Sequence, residues 1–208
     1  MPVSYRKTLT VSAASTNGVA ASQTPGAAGD LVLASATVTV PNGGQRIQII
    51  SAANLSARTF VVYGTEKNTG RTQTYSTIGP NATTLILPIT FATVTRISVD
   101  AGTGAALTVG WAAQGDLGPM PINARANPSD VGFSCVITSG TPTYTARFTM
   151  GDVQDATLNP GLRKWFDHPI IVSQTADNTG NYGKPTSAGS LYASGVCTMD
   201  YVQIEGGW

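Results

Sequence analysis

The stretch 58-RTFVVYGTEKNTGRTQTYSTI-78 contains two runs of β-branched and aromatic residues on either side of the turn-forming sequence EKNTG. Such runs favour β-strands, and the Asn and Gly between them favour a tight turn, so the stretch predicts a β-hairpin. Further strand-like runs surround it at intervals of about ten residues, which is typical of antiparallel sandwiches. They are LVLASATVTV (31–40), QRIQII (45–50), TTLILPITF (83–91), TRISVD (95–100) and ALTVGW (106–111).

A change of composition divides the chain. The sequence GDLGPMPINARANPSD (115–130) has three prolines, two glycines and no apolar–polar alternation, which indicates a linker. A second series of strand-like runs follows: VGFSCVIT (131–138), TYTARFTM (143–150), HPIIVSQ (168–174), SLYASG (190–195) and CTMDYVQIE (197–205). We therefore predict an all-β fold of two small antiparallel β-sandwich, jelly-roll-like domains, at 31–114 and 131–208. Residues 1–30 contain little to bury, and we expect an extended N-terminal arm that adds a strand to a neighbouring subunit.

The composition argues against several classes of partner. Only 11% of the residues are charged and the formal net charge is +1, whereas nucleic-acid binding needs clustered Lys and Arg. We therefore expect no nucleic-acid partner. No apolar run approaches the roughly 20 residues that span a bilayer, so we also expect no membrane partner. The opening MPVSYRKTLTVSAAS lacks the apolar core of a signal peptide, which predicts a protein that stays where it is made.

The segment 164-KWFDHPIIV-172 contains the only histidine, His168, directly after Asp167. Adjacent residues of an extended chain point to opposite faces, and the chain has no G-x-S-x-G sequence, so the pair does not predict a catalytic site. We interpret the segment as a strand entry, in which Trp165 and Phe166 fill the core edge while Asp167 and His168 bond to backbone at a turn. Loss of a fully buried Trp165 indole would cost about 3–5 kcal/mol. We predict a structural or interface role for Trp165, Phe166 and His168, and no enzymatic activity.

Other candidate sites do not match the residue patterns that they would need. Cys135 and Cys197 lie in apolar runs, which favours buried free thiols, whereas a disulfide would need an oxidising compartment. Two cysteines and one histidine in no ligand spacing do not suit zinc, and the turn 177-DNTGNYG-183 lacks the alternating acids of a calcium loop. We therefore predict no metal and no cofactor. Trp208 follows two glycines and is either frayed or docked on a partner, which makes it an interface candidate.

Two segments of the chain each contain a series of short motifs. The first, at 57–111, has a Gly-Thr pair at 64–65, a G-x-N turn at 79–81, F-x-T-V-T-x-I-S-V at 91–99 and Val-Gly at 109–110. The second, at 139–194, has Thr-Tyr-Thr at 143–145, W-F-D-H-P at 165–169 and T-A-D-x-x-G-N-Y at 175–182. In their order, and in their coverage of roughly three-quarters of the chain, these motifs resemble those of small structural proteins of tailed bacteriophages.

The resemblance implies a virion structural protein of the head-decoration, cement or minor capsid type, made in the host cytoplasm and placed on the capsid surface. Its expected partner is the major capsid protein of the same virion. We expect a homo-oligomer, either a trimer that matches local threefold positions or a dimer. A tail, collar or fibre-base component, and a receptor- or glycan-binding module displayed on the virion, are the alternatives that the sequence leaves open.

Overall fold

The computed structural model describes residues 3–122, 131–153, 155, 157–182 and 186–205. The fold is all-β, as predicted, and its strands form multiple antiparallel sheets. The first nine strands are β1 (Val3–Val11), β2 (Ser15–Gln23), β3 (Gly29–Asp30), β4 (Val38–Thr39), β5 (Gln45–Ile50), β6 (Thr59–Thr65), β7 (Thr72–Ile78), β8 (Thr84–Phe91) and β9 (Thr93–Val99). The others are β10 (Leu107–Asp116), β11 (Met120–Pro121), β12 (Val131–Gly140), β13 (Thr143–Thr149), β14 (Phe166–Asp167), β15 (Asn178–Tyr182), β16 (Ala188–Ser194) and β17 (Cys197–Glu205). Short 3-10 turns occur at Pro41–Gly43 and Pro160–Leu162.

The chain forms two compact units, each built from segments that are separate in the sequence. Unit 1 consists of Met1–Ser12, Gln114–Leu158 and Arg163–Trp208. Unit 2 consists of Ala13–Ala113 together with the short segment Asn159–Leu162. The boundary after Ala113 lies next to the predicted end of the first domain at 114. The residue pattern did not predict that each unit also takes a segment from the other half of the chain.

Unit 2 is a pair of antiparallel sheets around one apolar core. One sheet has the strand order β3-β9-β6-β7, and β4 also pairs with β9. In the other sheet, β10 pairs with both β2 and β5, and β5 also pairs with β8. The predicted hairpin is β6–β7, in which Thr59 pairs with Ile78 and Thr65 with Thr72. The core includes Val19, Ile47, Ile49, Phe60, Val62, Leu87, Phe91, Ile97 and Val109.

Two glycines of the phage-like segment lie where strand backbones come too close for a side chain. A Cβ atom at Gly64, in β6, would lie 1.9 Å from the carbonyl oxygen of Thr93 in β9. A Cβ atom at Gly110, in β10, would lie 1.8 Å from the carbonyl oxygen of Ser15 in β2. Both strand pairs shift register at these positions, as at a β-bulge. The close approach of neighbouring backbone therefore requires glycine at both positions.

Unit 1 also consists of two antiparallel sheets around an apolar core. The first has the order β1-β17-β12-β15. The second joins β14, β13 and β16, and β16 also pairs with β11 and with the last residues of β10. The core is rich in aromatic and sulfur-containing side chains and includes Leu9, Phe133, Cys135, Tyr144, Leu191, Met199 and Tyr201.

The prediction of an extended N-terminal arm at residues 1–30 is wrong for those of these residues that the structure describes. β1 pairs along its whole length with β17, and β2 pairs with β10. Leu9 and Val19 are fully buried in the cores of unit 1 and unit 2, respectively. Composition was misleading because a strand needs only a few apolar side chains on one face, and backbone pairing is indifferent to the small residues between them.

The expected linker at 115–130 also differs from the structure in its described half. Residues 115–122 pack into unit 1, where Leu117 is buried and β11 pairs with β16. Residues 123–130 lie outside the described part of the chain. Prolines suit a two-residue strand such as β11, because a short strand at the end of a sheet needs few backbone donors.

Candidate functional site

The segment that carries the only histidine forms a short strand followed by a loop. Phe166 and Asp167 make up β14, which pairs with β13. The predicted strand at 168–174 is wrong, because these residues form a loop whose one ladder contact is an isolated bridge at Gln174. Pro169 has no N–H group to donate to a ladder, which accounts for the end of regular pairing at Asp167.

The imidazole ring of His168 holds this loop in place. Its Nδ1 atom accepts hydrogen bonds from the backbone N–H groups of Ile170 and Ile171, at 3.2 and 3.1 Å. Its Nε2 atom lies 3.0 Å from the carbonyl oxygen of Asn181, which accepts only, so the neutral Nε2–H tautomer is assigned. The residue is buried. Since both nitrogen atoms are bonded to backbone, neither is available as an acid or a base.

Asp167 has a different partner from its neighbour. Its Oδ1 atom accepts a hydrogen bond from Nε of Arg147 at 3.0 Å, across the β13–β14 pair. The expected bond from Asp167 to backbone is therefore replaced by an ion pair. The same guanidinium lies over the ring of Tyr192, with 4.5 Å between its Cζ atom and the ring centroid. Asp167 and His168 thus do not form a carboxylate–imidazole dyad.

A cleft of about 450 Å³ lies beside the loop, within unit 1. Its size is within the usual range for ligand pockets in proteins. Aromatic and aliphatic side chains form most of its walls: Phe148, Phe166, Pro169, Ile170 and Tyr182. Polar groups come from Asp167, His168, Asn181 and Thr186. We refer to these nine residues together as the His168 cleft.

The aromatic walls of the cleft are fixed by stacking and hydrogen bonds. Phe148 and Phe166 stack with their ring centroids 5.6 Å apart. The hydroxyl of Tyr182 donates to the carbonyl of Arg147 at 2.8 Å, so the hydroxyl of Tyr201, 2.9 Å away, is the donor between the two tyrosines. Burial raises the pKa of Tyr182 well above its ordinary value, which keeps this hydroxyl protonated. The cleft is therefore formed before anything binds to it.

The sequence candidates are distributed unevenly around this cleft. Phe166 and His168 line it, whereas Trp165 is half-buried and outside the lining. A half-buried indole implies a smaller loss than the ~3–5 kcal/mol of a fully buried one. Trp208 lies outside the described residues.

Two residues that line the cleft, Phe148 and Tyr182, were not predicted as site residues from the sequence. Each occupies an ordinary strand position, where half-buried packing is the usual role of an aromatic residue. The available signal was that Tyr182 ends one of the phage-like motifs, while Phe148 had none. Only the pairing of β13 with β14 brings Phe148 opposite Phe166.

The described residues contain no other candidate chemical centre of the kinds considered from the sequence. Among them, no three His, Cys, Asp or Glu side chains are grouped so that they could hold a metal ion. Cys135 and Cys197 are free and buried, and burial raises the pKa of Cys135 to about 12, which keeps that thiol protonated at neutral pH. In the oxygen-rich turn, Oδ1 of Asp177 accepts the backbone N–H of Ile137 at 2.8 Å. The residues that follow Asp177 are the strand β15.

Comparisons with protein-family models, with curated protein sequences and with solved structures found no match for this chain. The described part of the chain includes no helix long and apolar enough to cross a membrane.

Proposed function

We propose that this chain is a non-enzymatic structural protein of a tailed-phage virion. It binds the lattice of the major capsid protein and reinforces it as a decoration, or cement, protein. The resemblance of residues 57–111 and 139–194 to phage structural proteins supports the virion assignment. One structural observation supports the proposal that the protein is not an enzyme: both ring nitrogens of His168 are hydrogen-bonded to backbone groups.

Two buried amide side chains of unit 2 support the same conclusion, because they also bind backbone. In unit 2, Nε2 of Gln45 donates to the carbonyl of Ala112 at 2.8 Å. Nε2 of Gln48 donates to the carbonyl of Ser15 at 2.8 Å. Breaking such a bond leaves a buried polar group unsatisfied, so each one holds its strands in a single arrangement. Rigid units of this kind suit a protein that bears load on a shell.

The proposed mechanism requires no chemical step. Each unit exposes large apolar side chains, such as Val32 and Ile78 on unit 2 and Met150 and Ile170 on unit 1. Docking across the junctions between capsid proteins would remove part of this apolar surface from water. Linking several modest contacts in one oligomer raises avidity by ~10²–10⁴ without a new type of interface.

The test uses capsids assembled without this chain. The purified chain is added, bound protein is measured by co-sedimentation with the capsids, and the particles are examined by cryo-electron microscopy. We expect saturable binding, density at fixed sites on the outer shell and a higher temperature of capsid disruption. Density on a tail or collar would favour the alternative virion component. Failure to bind any part of the particle would contradict the proposal.

A glycan-binding module is the second candidate, and the His168 cleft favours it. The cleft combines the aromatic rings of Phe166 and Tyr182 with the polar side chains of Asp167 and Asn181. Aromatic rings that pack on a sugar face, with a few polar groups for its hydroxyls, are a physically suitable arrangement for this ligand class. A glycan array with the wild-type chain and a Phe166→Ala variant separates this function from capsid binding. Glycan binding that the variant loses would support it.

A further inference from the structure

Strand β1 forms an open edge of a sheet in unit 1. It spans nine residues, lies at one end of the order β1-β17-β12-β15 and pairs with β17 alone. In a strand with a single partner, every second residue points its backbone N–H and C=O groups away from the sheet. Within the described part of the chain, nothing bonds to these outward groups of residues 5–11. The strand therefore presents a row of unpaired backbone donors and acceptors.

The side chains of this edge are also open to solvent. Residues 5–8 are four consecutive exposed residues, so both faces of β1 are accessible there. Tyr5 pairs directly with Gln203 of β17 and shares its face of the sheet. Gln203 is fully buried between the two sheets of unit 1, whereas Tyr5 is 44% exposed. The second sheet thus covers β17 but not β1, and a further strand beside β1 would meet no obstacle from it.

The other long edge strands among the described residues are protected against strand addition. The side chain of Asn159 is bonded to the backbone of β7, and β8 contains Pro88, which has no N–H group to donate. In β2, the Val19 carbonyl accepts a backbone N–H from a neighbouring loop at 2.9 Å. In β15, the Asn181 carbonyl is bonded to the imidazole described above. An open nine-residue edge is therefore a distinguishing feature of β1.

The charges on β1 select the kind of strand that this edge suits. Arg6 is paired with Asp200 on one face, but Lys7, on the other face, makes no ion pair with any described residue. Two β1 strands paired over residues 5–8 would bring the cations of one copy beside those of the other, and like charges on neighbouring strands are destabilising. A lysine on an edge strand is a common protection against such self-pairing. The edge thus disfavours a second copy and favours an acidic partner.

We infer that β1 is the binding edge for an extended, acidic segment of another protein, which adds to the sheet as a strand. Backbone hydrogen bonds supply the affinity, and side chains at alternate positions supply the selectivity. Tyr5 and Lys7 are two residues apart on one face, so the segment needs an apolar or aromatic residue and an Asp or Glu at the same spacing. The inference does not depend on the capsid proposal, because it concerns only the edge of unit 1 and the chemistry of the segment.

Hydrogen exchange with a tethered probe peptide tests the inference. The peptide is as long as β1, has Tyr and Glu two positions apart among Thr and Val residues, and is joined to the N-terminus of the whole chain by a flexible Gly-Ser linker. Such a linker sets an effective concentration in the millimolar range, so that even weak pairing is detected. We expect alternate amides of residues 5–11, which exchange rapidly in the untethered chain, to become protected.

Charge reversal tests the selectivity with the same peptide free in solution and labelled for fluorescence anisotropy. A peptide with Lys in place of Glu should bind the wild-type chain about 10-fold more weakly. Lys7→Glu should reverse this preference. Lys164→Glu makes the same change at another exposed lysine of unit 1, beside Phe166, and should leave both affinities unchanged. Because both lysines are exposed, circular dichroism should show that both variants are folded.

Each of the other outcomes overturns the inference. If the tethered peptide leaves the β1 amides as exchangeable as in the untethered chain, this edge does not accept a strand. Protection that appears on a different strand places the binding edge elsewhere. Binding that Lys7→Glu and Lys164→Glu weaken equally reflects net charge and not a contact at β1. Protection of β1 that rises with protein concentration in the absence of peptide would show that a second copy is the partner.

Discussion

The side-chain amide of Asn159 is hydrogen-bonded to the backbone of Thr74 in β7. Its Nδ2 atom donates to the Thr74 carbonyl at 3.0 Å, and its Oδ1 atom accepts from the Thr74 N–H at 3.1 Å. A further bond at 2.8 Å joins Nδ2 to the Thr74 hydroxyl. Because β7 is an edge strand, its backbone groups are otherwise open to pairing with other chains. At Thr74, a single asparagine from a distant part of the sequence takes the place of the missing neighbouring strand.

Removal of this amide should loosen the edge of unit 2. Asn159→Ala leaves the N–H and C=O of Thr74 without these partners in a partly buried site, so we expect unfolding free energy to fall by about 1–3 kcal/mol. Urea denaturation measures the loss, and hydrogen exchange of the Thr74 amide should become faster. Asn17→Ala, at an exposed position of β2, is the control and should change stability by less than about 0.5 kcal/mol. Equal effects of the two substitutions would show that the Asn159 bonds do not stabilise β7.

Substitutions of His168 should separate its donor role from its acceptor role. His168→Asn keeps an acceptor near the position of Nδ1 but loses the donor to Asn181, whereas His168→Phe keeps the ring and loses both. Each buried group left unsatisfied costs about 1–3 kcal/mol, so the unfolding free energy should decrease in the order wild type, Asn variant, Phe variant. Thermal and urea unfolding measure the order. A Phe variant as stable as the wild type would contradict the structural role of His168.

Gly64 should tolerate no side chain, in contrast to a strand glycine of unit 1. Gly64→Ala forces its Cβ into the carbonyl of Thr93 across β6 and β9, and overpacking of this kind costs ~1–3 kcal/mol or more. Gly132 is the matched control, since it lies in β12 and a Cβ there would have no atom within 4 Å. Gly132→Ala should be neutral or stabilising by up to ~1 kcal/mol, because alanine restricts the unfolded chain. Equilibrium unfolding of both variants provides the comparison, and similar losses would refute the close-approach explanation.

Asp200 should link the stability of the β1–β17 pair to acid pH. Its carboxylate pairs with Arg6 and accepts a hydrogen bond from Oγ1 of Thr8 at 2.7 Å, and these contacts lower the pKa of Asp200 below its ordinary value of 3.8. A lowered pKa in the folded state contributes stability above pH ~3.8, and this contribution is lost as the pH falls through the folded value. Asp200→Asn should therefore be less stable than the wild type at neutral pH, and the difference should shrink below pH ~3.8.

Urea denaturation across a pH series measures this difference. Thr8→Val, which removes one of the two side-chain partners, should show the same pH dependence with a smaller amplitude. A difference between wild type and Asp200→Asn that stays constant with pH would mean that the charge of Asp200 contributes nothing to the pairing of β1 with β17.

The strands whose bounds were predicted correctly are those in which the residues of the strand and its adjacent turns determine where the strand begins and ends. The runs 45–50, 72–78 and 197–205 coincide with β5, β7 and β17 at both ends. The run at 31–40 alternates equally well, yet only β4 is a strand within it. Its Val32 backbone is instead bonded in both directions by the amide of Gln23, at 2.9 Å each way. Alternation shows that a segment can pair, but it does not reveal that a side chain has taken the place of the pairing strand.

The all-β class and most strand positions were available from the order of residues alone, because they depend on alternation and on turn-forming residues close together in the chain. Folding alone decided that residues 3–11 and 15–23 are strands of two different units, that Asn159 belongs beside Thr74, and that Phe148 and Tyr182 meet around His168. Backbone hydrogen bonds are the same for every residue type except proline, so the pattern of a strand does not identify its neighbour. The neighbour is selected by the packing of side chains that are far apart in sequence, and the His168 cleft exists only once that selection has been made.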